Sequence, residues 1–151
     1  MKIDINNIKK YSVWKNKWED QSTINLQQYV SFNLHPDDVL ILGKLFFPEL
    51  IKVNECVFLM DNYDKNVYQE ICVKYRNDNK LIERTINHIY IYDYFAHCKD
   101  NVDSMTFECV GNILKFSWQI YFSKVFPEKE IVVEYNNDEQ EYGPTLTFYH
   151  K

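Results

Sequence analysis

Glycine is scarce in this chain: Gly43, Gly111 and Gly143 each stand alone. No G-x-G-x-x-G turn, G-x-x-x-x-G-K loop or G-x-S-x-G elbow can be written on them, which removes the commonest nucleotide-binding and hydrolase signatures. Long apolar runs are also missing. No window approaches the roughly 18 continuous apolar residues of a membrane span. The N-terminal MKIDINNIKKY alternates polar and apolar residues and does not read as a secretory leader. The four cysteines, Cys56, Cys72, Cys98 and Cys109, are separated by 16, 26 and 11 positions, with no C-x-x-C pair. That spacing matches neither a zinc site nor a redox motif, so the expectation is reduced thiols in a cytoplasmic protein without metal or cofactor.

Aromatic residues are plentiful instead. Twelve Tyr, ten Phe and three Trp make up 17% of the 151 residues, and 46% of the chain is hydrophobic. With so few glycines and prolines this composition describes a folded chain. A chain of this length buries roughly two-thirds of its unfolded surface and needs no staple to fold. No repeat, low-complexity tract or Gly/Ser linker divides it. The expectation is one domain over residues 1–151, with residues 1–22 able to form an N-terminal helical extension.

Spacing supplies the elements. Ile5, Ile8, Tyr11, Trp14 and Trp18 recur at three and four, which is helical. Residues 23–34 (TINLQQYVSFNL) suit a strand or a short helix equally. In HPDDVLILGKLFFPEL, Pro36 fits a first helical turn, Asp37 and Asp38 favour the positive end of the dipole, and Pro48 ends the helix. Its apolar stripe is Val39, Leu42, Leu45 and Phe46. Val53 to Met60 reads as one largely buried strand. Asp64 is a candidate N-cap for a helix with Val67, Tyr68, Ile71 and Tyr75 on one face. Helical spacing continues at Ile82, Ile86, Ile89 and Tyr92 or Asp93, although residues 88–95 also alternate like a strand. A long helix is expected from about Ser104 to Phe126, stopped by Pro127. Strands Ile131 to Tyr135 and Thr145 to Tyr149 then flank the turn-prone NNDEQEYGP. The predicted fold is α+β, helices packed on a small antiparallel sheet that ends in a C-terminal hairpin.

Charge is distributed unevenly. Six acids (Glu128, Glu130, Glu134, Asp138, Glu139, Glu141) and one base (Lys129) lie between Glu128 and Tyr142. The rest of the chain holds sixteen of each sign, so the whole net charge of −5 falls in about one-tenth of its length. An acidic end of this kind excludes nucleic acid there and suits a basic protein partner. Glu134, Asp138, Glu139 and Glu141, with Tyr135 and Tyr142 as anchors, form the expected partner-binding face. The plainer alternative is a solvated turn that insulates a sheet edge.

Two other constellations stand out. His88, Asp93 and His97 offer imidazoles and a carboxylate; on a helix, Asp93 and His97 at i and i+4 share a face, so a small enzyme is one alternative. WKNKW, Trp14 to Trp18, mixes rings and bases as single-stranded nucleic-acid binders do. A hydrophobic stripe docking the first helix explains it more simply. A homo-oligomeric structural or regulatory subunit is a further alternative.

FFPELIKVNECVFL (Phe46 to Leu59), INHIYIYDYF (Ile86 to Phe95) and EYGPTLTFYHK (Glu141 to Lys151) together resemble segments of small uncharacterised bacterial proteins. They cover about a quarter of the chain. In size, acidity and lack of enzyme motifs the chain is also similar in general character to immunity proteins of bacterial toxin systems. That resemblance implies a protein-binding module that occludes the active surface of a basic toxin domain. It carries over no catalytic residue.

Overall fold

The computed structural model describes residues 3–98, 100–137 and 142–151. The chain is α+β and closes on an antiparallel hairpin. It divides into two units, Met1–Gly43 and Lys44–Lys151.

The first unit is helical. A short 3-10 turn, Ile5–Asn7, is capped by the Asp4 carboxylate, which accepts from Asn6 N–H at 2.9 Å. Helix α1 (Lys9–Lys15) follows, then α2 (Leu26–Asn33), which settles residues 23–34 in favour of helix. The local reason is a capping box. Asn25 accepts from Gln28 N–H at 3.1 Å, and the Gln28 side chain accepts from Asn25 N–H at 3.2 Å. Aromatic rings join this segment to α2: Tyr11 to Tyr29 at 5.4 Å and Trp14 to Tyr29 at 5.2 Å from α1, and Trp18, which lies beyond the end of α1, to Phe32 at 5.3 Å. The tryptophans of WKNKW therefore pack on α2.

Helix α3 (Pro36–Phe46) begins at the predicted proline and stops two residues before Pro48. Its expected stripe divides. Leu45 and Phe46 pack into the core of the second unit, whereas Val39 and Leu42 are exposed together with Leu40 and Ile41.

In the second unit the expected single strand from Val53 to Met60 is two strands, β1 (Leu50–Val53) and β2 (Cys56–Leu59). They pair antiparallel in the register Val53↔Cys56 and Leu50↔Leu59. Asn54 turns the chain in the left-handed region at φ 54°, a conformation Asn adopts more readily than most residues. Helix α4 (Lys65–Lys74) starts on Asp64 as predicted, its carboxylate accepting from Asn66 and Val67 N–H at 2.8 and 2.9 Å. Tyr68, Ile71 and Tyr75 pack inward, while Val67 is exposed.

Helix α5 (Asn79–Ile86), the two-residue strand β3 (Ile89–Tyr90) and the single turn α6 (Ile91–Tyr94) resolve the ambiguous stretch as both helix and strand. Helix α7 (Ser104–Val125) matches its expected span to one residue, with Asp103 accepting from Thr106 N–H at 2.7 Å. Strands β4 (Ile131–Asn136) and β5 (Thr145–His150) form the hairpin. The second sheet has the order β3-β5-β4, with Glu134↔Thr147 and Tyr135↔Leu146 directly opposed. Leu114, Trp118 and Phe122 of α7 bury against Val57, Leu59, Val133, Leu146 and Phe148, and Trp118 Nε1–H donates to the Leu45 carbonyl at 3.0 Å. Among the described residues no helix is long and apolar enough to cross a membrane.

Burial divides the thiols. Cys56 lies in a second cluster with Phe58, Ile82 and Ile86, and burial, with the nearby Glu83 carboxylate adding to it, pushes its thiol up to about 12. Cys98 is exposed. At pH 8 we expect a disulfide reagent to label Cys98 of the native protein at least about a hundredfold faster than Cys56, with denaturant abolishing the difference. Equal rates in the native state would contradict this burial. The folded chain holds the Cys56 proton more tightly than the unfolded chain. Its stabilising contribution is thus complete below the unfolded thiol range, about 8.5, and is lost as pH rises from there toward 12.

Candidate protein-binding face

Of the six expected contact residues, the three that are described, Glu134, Tyr135 and Tyr142, lie in different environments. Because side chains alternate along a strand, Glu134 and Tyr135 point to opposite faces of β4. Glu134 is half-buried and engaged within the chain: one oxygen lies 2.9 Å from Arg84 Nη2 of α5, and the other accepts from the Tyr149 hydroxyl at 2.6 Å. That bond raises the Tyr149 phenol above its ordinary range, since ionising it would set two anions together. Tyr135 lies on the core side, its ring against the backbone of Gly111 in α7. Its hydroxyl is buried with no hydrogen-bond partner among the described residues, and burial raises its pKa as well, with Glu108 contributing.

Tyr142 is 63% exposed. Its ring meets those of Tyr90 and Tyr92 edge-on, at 5.6 and 5.8 Å, and His88 continues the row at 5.0 Å from Tyr90. Tyr92 in turn covers the Cα of Gly143, where a Cβ would come within 2.6 Å of the ring. Tyr142 is therefore an outward-facing ring on a supported base. Asp138, Glu139 and Glu141 lie outside the described residues. At the foot of the hairpin Glu130 pairs with Lys151, and Lys129 donates to the Glu55 carbonyl at 2.9 Å.

His88, Asp93 and His97 are all exposed and do not share a helix: His88 precedes β3, Asp93 lies in α6, and His97 follows the end of that turn. The i, i+4 geometry imagined for Asp93 and His97 needs a helix that stops at Tyr94. Among the described residues no group of three or more His, Cys, Asp or Glu side chains is placed to hold a metal ion.

The polar centre of the molecule lies elsewhere, on α5. Glu83 is 1% exposed and Asn87 is fully buried. Glu83 Oε1 accepts from Val57 N–H of β2 at 2.6 Å, while Oε2 accepts from His150 N–H of β5 at 2.8 Å and lies 2.7 Å from His150 Nδ1. Asn87 accepts from Leu59 N–H at 2.9 Å and donates to the carbonyls of Val57 and Phe148 at 2.9 and 3.2 Å. Two side chains at i and i+4 thus satisfy facing backbone edges of β2 and β5, strands of two different sheets. Sequence reasoning passed over this pair. Its one visible signal was Glu83 and Asn87 adjoining Ile82 and Ile86 on a strongly amphipathic helix.

Compared with family models, curated proteins and solved structures, the chain matches none. Its functional reading rests on its own residues.

Proposed function

We propose that this chain is a protein-binding module for a basic partner, acting as an immunity protein that neutralises a toxin domain by covering its cationic active surface. One observation carries the reading: the segment holding all the net charge runs directly into Tyr142, an exposed ring braced by Tyr90 and Tyr92. Carboxylates supply long-range attraction, and a rigid tyrosine supplies a contact that loses little conformational freedom on binding. In this reading Asp138, Glu139, Glu141 and Tyr142 meet the partner. Glu134 and Tyr135 hold the hairpin base, through Arg84 and Tyr149 on one face and α7 on the other.

The test is an affinity capture from the native cell lysate at low salt. It compares the wild type with a D138N/E139Q/E141Q variant and with Tyr142→Ala. A basic protein retained by the wild type, and lost or weakened in both variants, supports the reading. For that protein the association rate should fall about tenfold or more between 0.01 and 0.5 M salt. Identical captures from all three proteins, or a salt-independent association rate, would return the hairpin to the role of a solvated sheet edge.

A further inference from the structure

An open surface depression of about 590 Å³ lies in the helical unit, large enough to seat a small organic molecule. Its lining includes Trp18, Phe32 and Ile24 together with the exposed Lys17, Glu19 and Asp20. Trp18 and Phe32 meet edge-on at 5.3 Å and form a continuous aromatic wall, with the buried Ile24 beside them. The charges are mixed, with one ammonium and two carboxylates. Asp20 is oriented by Ser22, whose N–H and hydroxyl donate to the same oxygen, Oδ1, at 2.9 and 2.6 Å. Those bonds hold the carboxyl below its ordinary range, so it is ionised at neutral pH, and neither of them occupies Oδ2.

A purely apolar guest would leave three charges without use, and a simple cation would meet the Lys17 ammonium as a like charge. A molecule carrying both signs next to an apolar group matches the whole lining. We propose that this depression binds a small zwitterion with an apolar side chain, the chemistry of a free aromatic amino acid. Its ammonium is placed toward Asp20 and Glu19, its carboxylate toward Lys17, and its ring against Trp18 and Phe32. Edge-to-face packing and cation–π attraction both favour that pose.

The experiment is an NMR titration of the full chain with L-phenylalanine, phenethylammonium and 3-phenylpropionate, following the indole N–H resonances. L-Phenylalanine should saturate the Trp18 shift with a Kd on the order of millimolar, as befits an open site and a ligand of this size. Each singly charged analogue should bind about two- to fivefold more weakly, the scale of an exposed charge contact. Asp20→Asn, an exposed substitution, should weaken phenylalanine and phenethylammonium and leave 3-phenylpropionate unchanged. Three probes of equal affinity, no saturable shift with any of them, or an Asp20→Asn variant that treats all three alike would each overturn the proposal.

Discussion

Replacing Glu83 by Ala should cost about 3–5 kcal/mol of folding stability, the scale for breaking a buried charged network, and should be among the most damaging single changes in the chain. The substitution removes an acceptor used by the buried Val57 N–H and the part-buried His150 N–H, and the carboxylate in contact with the His150 ring. Each orphaned donor then carries a desolvation penalty of roughly 1–3 kcal/mol. Water cannot readily replace the carboxylate where Glu83 is 1% exposed.

Glu83→Gln is the informative control. An amide keeps the shape but offers only one accepting oxygen, so its NH₂ must face donors at either Val57 or His150. It should fall between wild type and Ala. Asn87→Ala should also destabilise, because it leaves Leu59 N–H without its acceptor and two carbonyls without their donor. The double variant should lose less than the two single losses together, since both residues close the same seam between β2 and β5. Urea unfolding of the four variants measures all of this. A Glu83→Ala protein within about 1 kcal/mol of wild type would show that the seam is not held by this carboxylate.

The second large effect is expected at Gly111, in the middle of α7. On propensity alone, Ala in a helix interior should gain up to about 1 kcal/mol over Gly. The tertiary surroundings reverse the sign. A Cβ at this position would be driven into Tyr135 Cε2, and would also lie 2.8 Å from Ile91 Cδ1 and 2.9 Å from Tyr135 Cδ2. Ile91 is fully buried and the Tyr135 ring is fixed between β4 and α7, so neither yields cheaply. Overpacking of this kind costs roughly 1–3 kcal/mol, and a net loss of about 2 kcal/mol is expected for Gly111→Ala.

Trimming the ring should rescue it. Tyr135→Leu alone leaves a gap, but in the Gly111→Ala background it removes the clash, and the coupling between the two substitutions should be favourable. Thermal unfolding of the two single variants and the pair decides the matter. A Gly111→Ala protein more stable than wild type would mean that helix propensity outweighs the contact with Tyr135.

Both results concern residues whose importance is invisible in one dimension, yet much of the chain was legible there. Asp64 before Lys65–Lys74, Pro36 at the head of α3, and the apolar spacing from Phe107 to Val125 are local signals. Each acts within a few residues of itself, through a capping bond or a helical stripe, so the correct elements follow from reading along the chain. The C-terminal hairpin was legible for the same reason, with alternation on both sides of a turn-rich insert. Where local signals were balanced, as at residues 23–34 and 88–95, a side-chain bond decided the outcome. The Asn25–Gln28 box makes α2 a helix. Asn87 gives its side chain to Leu59, Val57 and Phe148 at the point where α5 stops.

The candidate face shows the same division. Its charge was a property of composition and stood in the sequence outright: six acids and one base between Glu128 and Tyr142. Which of its residues are free to meet a partner was not. Glu134 found Arg84 and Tyr149, Tyr135 found Gly111, and Tyr142 alone of the two tyrosines was left facing outward. The sequence by itself determined the α+β class, the starts of α3, α4 and α7 and the location of the net charge, because each depends on neighbours in the chain. The tertiary structure decided the roles of Glu83, Asn87, Gly111 and Glu134, because each depends on atoms brought from at least 15 residues away by packing.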